Sequence, residues 1–110
     1  MDRTMNEQPN GFVAVASVGD IPPGGMKCVP VDRMRVVVAN VDGRLHAFSD
    51  ICGHRYAPLS RGRLSGHIVE CPLHFAQFDV RTGKLVDGPV SADLPVYEVR
   101  VEDGTIFVKR

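Results

Sequence analysis

Two short motifs in the middle of the chain restrict its fold more than any other feature. Cys52-Gly53-His54 and Cys71-Pro72-Leu73-His74 each offer one thiol and one imidazole, and sixteen residues separate His54 from Cys71. If both motifs serve one metal centre, the fold must bring two loops together and hold them rigidly. Both motifs lie in stretches rich in glycine and proline, where the backbone can bend round a metal. Cys28 is the third cysteine. An odd number argues against a secreted disulfide framework, so Cys beside His reads first as a metal site in a reducing compartment.

The remainder of the chain suits a scaffold of that kind. Its 110 residues bound it to one small domain. There is no Trp and aromatic residues make up only 6%, so a core of Val, Leu, Ala and Ile must be thin, and a metal centre is one way to staple it. Lys+Arg and Asp+Glu are both 13, and a neutral chain lacks the basic footprint of a nucleic-acid binder. Residues 1–10 are polar and are expected to be a flexible N-terminus. They lack the apolar stretch of a signal peptide, and no run of ~18 apolar residues occurs, so a cytoplasmic location without membrane attachment is expected.

The periodicity is mostly two, which predicts strands. Phe12 to Ala16 reads as a first strand, Ile21 to Gly25 as a turn-rich break, and Met26 to Val31 as a second strand with Pro30 near its end or at a sheet edge. Arg35 to Ala39 and Arg44 to Phe48 flank Asp42-Gly43, a strong hairpin signal. Residues 49–66 show little alternation. His67 to Glu70 is a short strand running into Cys71. Gln77 to Val80 and Lys84 to Val86 flank Arg81-Thr82-Gly83. The last hairpin is the clearest: 96–102 alternates, Asp103-Gly104 turns, and 105–109 returns, with Tyr97, Val99 and Val101 expected to face the core. The expected fold class is all-β, made of antiparallel hairpins, with a loop-rich insert in the middle.

With these residues in view, the chain resembles the Rieske [2Fe–2S] proteins, whose motif is Cys-x-His followed, after a spacer of about this length, by Cys-x-x-His. The resemblance extends over roughly residues 11–110, through Cys52 to Gly66, Val69 to His74, Phe78-Asp79, Thr82 to Lys84 and the final hairpin. It implies a Rieske fold, with a single domain over 11–110 and a small cluster-binding subdomain at about 49–76. It also implies one [2Fe–2S] cluster, with Cys52 and Cys71 on one iron and His54 and His74 on the other. Neutral imidazoles leave the oxidised cluster with two fewer negative charges than four thiolates would, which makes it easier to reduce. Structural zinc is the competing reading of two Cys and two His, although common zinc modules pair like ligands.

Among Rieske proteins, the chain is most similar to the soluble ferredoxins of multicomponent aromatic-ring-hydroxylating dioxygenases. By that resemblance it takes single electrons from a flavin-containing, NAD(P)H-dependent ferredoxin reductase and passes them to a terminal Rieske oxygenase. It is then a carrier and not an enzyme, and a monomer is expected for a carrier that visits two partners. The small subunit of an assimilatory nitrite reductase is the alternative within the family, and a zinc-stapled interaction module the alternative outside it. An oxygenase is not expected, because a mononuclear iron needs two further His and a carboxylate, the remaining His46 and His67 both fall in predicted strands, and no length is left for a substrate pocket.

The high-potential respiratory type carries extra cysteines where this chain has Ala57 and Leu73, and Ser and Tyr hydroxyls where it has Ala76 and Phe78. Without those hydroxyls a low potential is expected, about −150 mV. Tyr56 to Leu59, Pro72, Leu73, Phe75 and Gly88-Pro89 are expected to form an apolar collar serving as a docking face. Phe75 stands where Gly is commoner, at a position that would permit φ > 0. Charge is uneven: basic residues prevail over 44–84 and acidic ones over 87–103, read either as steering towards acidic partners or as ordinary solvated charge. Cys28, His46 and His67 are expected to be structural or surface groups.

Overall fold

The structure is a computed structural model, and it describes residues 11–51, 58–72, 75–88 and 92–110. The expected flexible segment 1–10 lies outside the described residues. Eleven strands are present among them: β1 (Phe12–Ser17), β2 (Met26–Val31), β3 (Met34–Val41), β4 (Arg44–Ser49), β5 (Arg63–Ser65), β6 (Ile68–Glu70), β7 (Gln77–Asp79), β8 (Leu85–Asp87), β9 (Val96–Tyr97), β10 (Val99–Glu102) and β11 (Thr105–Lys109). They form three sheets, ordered β1-β11-β10, β2-β3-β4-β9 and β5-β6-β7-β8, and every pairing is antiparallel. The all-β expectation is met.

The second sheet is the middle layer, and β3 shows why. Val36, Val37, Val38 and Ala39 are all fully buried, so this strand does not alternate between core and solvent. Val37 and Ala39 join one apolar cluster with Phe48, Leu59, Val69, Cys71, Ala76, Phe78, Val80 and Leu94. Val36 and Val38 join another with Val29, Val31, Ala47, Ile106 and Val108. A run of four apolar residues is what a strand covered on both faces requires. Burying each valine contributes roughly 1.5 kcal/mol or more, so this one strand ties both neighbouring sheets to it.

Turn chemistry sets the registers. Asp42 (φ 52°) and Gly43 (φ 92°) both take positive φ between the paired Val41 and Arg44, which matches the twist of the flanking strands. Asn40 supports this turn, because its side chain donates to the Ile21 carbonyl at 2.8 Å and accepts from Gly43 N–H at 2.7 Å. Asp103 (φ 51°) and Gly104 (φ 78°) repeat the arrangement between β10 and β11. Pro30 lies on β2, an edge strand, where its missing N–H costs little.

Three expectations are corrected. Residues 96–102 are not one strand: β9 pairs with β4 in the second sheet, Glu98 breaks the run, and β10 pairs with β11 in the first sheet. The segment changes sheets, yet Tyr97 and Val99 both pack against the cluster that holds Ile106 and Val108, as expected. Val101 does not, and is 46% exposed. Residues 49–66 contain a strand that alternation did not show, β5, which pairs with β6 through Arg63↔Glu70, Leu64↔Val69 and Ser65↔Ile68. His67 precedes β6 in a turn instead of lying within the strand.

Candidate metal centre

The third sheet presents Cys71. The residue follows β6 directly, and its N–H donates to the Ala76 carbonyl at 2.8 Å. Phe75 N–H donates back to the Cys71 carbonyl at 3.0 Å. These two bonds close the turn 71–76 at its base and fix the start of β7. Closure requires a left-handed step, which falls on Phe75 at φ 60°. The position that reads as a glycine site in sequence is thus a positive-φ site, occupied by a bulky residue whose ring points outwards and is 66% exposed. Ala76 turns the other way, is fully buried and packs against Gly88.

The residues that flank the first motif are held from the middle sheet. Asp50 ends the run of β4, and its side chain is wholly buried. Arg35 donates to its Oδ2 from Nε at 3.0 Å and from Nη2 at 2.9 Å, and Ser60 N–H donates to Oδ1 at 2.7 Å. The Cys28 thiol reaches Oδ2 at 3.5 Å. Burial, with the nearby carboxylate, raises the Cys28 pKa, and the hydrogen bonds to Asp50 raise that of Arg35. Cys28 is the structural strand residue expected, with a polar partner in place of a purely apolar one. The Asp50 network escaped sequence reading, although an acid two residues before Cys52 was a visible signal.

Cys52, His54 and His74 lie outside the described residues, as do Tyr56, Ala57, Leu73 and Pro89. Of the expected collar, Phe75, Pro72 and Gly88 are exposed and Pro58 is half-buried, but Leu59 is fully buried and belongs to the core. Ile51, paired with Pro58 in an isolated bridge, is a further exposed apolar residue, at 37%. Among the described residues, no three or more His, Cys, Asp or Glu gather in a way that could hold a metal. His46 lies in β4, and burial lowers its pKa; it and His67 are half-buried, in keeping with structural roles.

The donor chemistry fits an iron–sulfur centre. The set offers two thiols and two imidazoles, and Cys71 is fully withdrawn from solvent among Val69, Ala76 and Phe78. A thiolate bound to iron needs that shielding, and outer apolar packing of this kind governs solvent access to such centres.

Comparison with known proteins gives a consistent result. The family described as "Rieske [2Fe-2S] domain" matches residues 11–98. The chain is 35% identical over 98 residues to the ferredoxin component of the naphthalene 1,2-dioxygenase/salicylate 5-hydroxylase systems of Ralstonia sp., covering 89% of this chain and 94% of that one. It is 41% identical over 98 residues to the biphenyl dioxygenase ferredoxin subunit of Pseudomonas sp. (strain KKS102), covering 88% and 90%. A solved complex of reduced oxygenase and oxidized ferredoxin in carbazole 1,9a-dioxygenase contains a chain with TM-score 0.84 and 34% identity, covering 91% of this chain and 94% of that one.

Proposed function

This chain belongs to the Rieske [2Fe–2S] domain family, and from that premise we propose that Cys52 and Cys71 hold one iron of its cluster and His54 and His74 the other. The cofactor is a single Rieske cluster, and the chain is a ferredoxin, the electron-carrying component of an aromatic dioxygenase system and not its catalytic subunit. That selects the ferredoxin over the nitrite reductase subunit and over the zinc module. When bound, the cluster supplies a centre that accepts and releases one electron at a time.

The observation that carries the ligand assignment is the turn 71–76. Reciprocal hydrogen bonds with Phe75 and Ala76 hold Cys71 buried at the end of β6, three residues before His74 in the sequence. We assign the exposed residues Ile51, Pro72 and Phe75 to the docking face for the oxygenase and for a flavin-containing, NAD(P)H-dependent reductase. Contacts of such carriers are small, less than ~1,200 Å². Ala76 and Phe78, both fully buried next to Cys71, offer no hydroxyl to a sulfur, so the potential belongs at the low end of the Rieske range, about −150 mV. Among the described residues no helix is long and apolar enough to cross a membrane, and action in the cytoplasm, where NAD(P)H is available, is part of this reading.

The test is reconstitution. With a reductase, NAD(P)H and a terminal oxygenase of a ferredoxin-dependent dioxygenase, adding the holoprotein should restore substrate-dependent oxygen uptake, and the Cys71→Ser protein should not. Oxygen uptake restored equally by Cys71→Ser would refute the assignment.

A further inference from the structure

Asp50 closes a loop that its position in sequence only enters. Its N–H donates to the Arg35 carbonyl at 3.0 Å, and its own carbonyl accepts from Leu59 N–H at 2.8 Å. Its carboxylate takes Ser60 N–H on one oxygen and the Arg35 fork with the Cys28 thiol on the other. The two described flanks of the first motif, 50–51 and 58–60, are therefore tied together at Asp50, and Ile51 pairs with Pro58 beside that point. The donors come from β2, from β3 and from the turn after the loop, so the closure is anchored to the middle layer of the molecule.

Simple loop closure does not call for a buried carboxylate. Withdrawing a carboxylate from water costs several kcal/mol, and apolar packing closes loops without that cost. What a fully paired buried charge adds is a fixed geometry, because each oxygen is satisfied in only one arrangement. Cys52 lies two residues from Asp50, within about 7 Å of chain. Where Asp50 is held therefore limits where the chain can place Cys52.

We propose that Asp50 is a positioning residue for the iron–sulfur cluster: with Arg35 and the Ser60 amide it fixes the loop carrying Cys52 and His54 in the arrangement that ligation needs. This rests on the ligand assignment above. Partners of this kind around metal ligands are worth about 10- to 100-fold in metal retention.

The test uses the holoprotein and two variants. Asp50→Asn keeps an acceptor for Ser60 but sets an amide against the Arg35 guanidinium. Arg35→Met removes the fork from a side chain that is 60% exposed, so it is the variant to use if the first does not fold. Iron transfer to a chelator is followed well below the unfolding temperature, alongside the EPR line shape after dithionite reduction. Both variants are expected to lose iron about 10- to 100-fold faster than wild type and to show broadened lines. Iron release and line shape equal to wild type, at whatever melting temperature, would reduce Asp50 to a structural role and overturn the proposal. Wild-type protein without a mixed Cys/His signal would overturn the ligand assignment, and this proposal with it.

Discussion

Gly88 lies against Ala76 so closely that a Cβ added to it would stand 2.5 Å from the Ala76 Cα and 2.8 Å from its Cβ. The contact joins the end of β8 to the turn that presents Cys71. Gly88 also takes φ +125°, a region L side chains rarely adopt. Gly88→Ala is therefore expected to cost about 2–4 kcal/mol, with overlap and backbone strain both contributing. Thermal unfolding of the variant against wild type checks this, and an unchanged melting temperature would show that the two segments separate freely.

Phe75 presents the opposite case. Its left-handed backbone (φ 60°) costs about 1–2 kcal/mol for an L residue, and a ring 66% exposed regains little by packing. Glycine relieves that strain but gives the unfolded chain about 0.5–1 kcal/mol more entropy to lose. Phe75→Gly is expected to stabilise the protein by about 0.5–1 kcal/mol. The same change removes an exposed aromatic from the proposed docking face, so the apparent affinity in electron transfer to an oxygenase should fall about fivefold or more. Denaturant titration and a reconstituted turnover assay read the two effects separately.

Arg81 holds the Asp79 carboxylate through Nε at 3.0 Å and Nη2 at 2.9 Å, with its own N–H adding a third bond at 2.9 Å. The Arg81 hydrogen bonds lower the Asp79 pKa from 3.8 to about 2. A carboxylate depressed on folding contributes stability that is present above pH ~4 and lost as pH falls towards 2. Wild-type stability should decline through that window, and Asp79→Asn should flatten the decline. The guanidinium is half exposed, so the effect is modest and weakens in salt.

Phe78 is fully buried in the same cluster as Cys71. Under the ligand assignment proposed above, Phe78→Tyr would offer a hydroxyl to a cluster sulfur, and a bond favouring the reduced state by about 1 kcal/mol would raise the potential by about 40 mV. Protein-film voltammetry of the variant measures the change. A shift downwards would contradict the view that missing hydroxyls set the low potential.

Where the sequence carried a turn signal, it was sufficient, whereas the alternation over 96–102 was not. Asp42-Gly43 and Asp103-Gly104 declared their hairpins because positive φ at both positions demands such residues. The spacing of the two Cys/His motifs points to the family without reference to the fold. Phe75 could be recognised as an odd occupant of a left-handed position. The unread parts depended on distant contacts. Nothing local marks Glu98 as the point where a strand changes sheets, since Tyr97 is claimed by Ala47 and Val99 by Val108. β5 is three residues long and exists because β6 pairs with it. Asp50, Arg35 and Ser60 are far apart in sequence, and only the closure of the loop makes them one network.

The most direct test of the central claim is EPR of the dithionite-reduced protein, prepared with natural-abundance histidine and with ¹⁵N-histidine. Ligation by Cys52, His54, Cys71 and His74 predicts a silent oxidised form. On reduction it predicts a rhombic signal, with a mean g below that of all-cysteine clusters and hyperfine coupling to two imidazole nitrogens. A colourless protein holding one zinc per chain, or a reduced signal without histidine nitrogen coupling, would contradict the account.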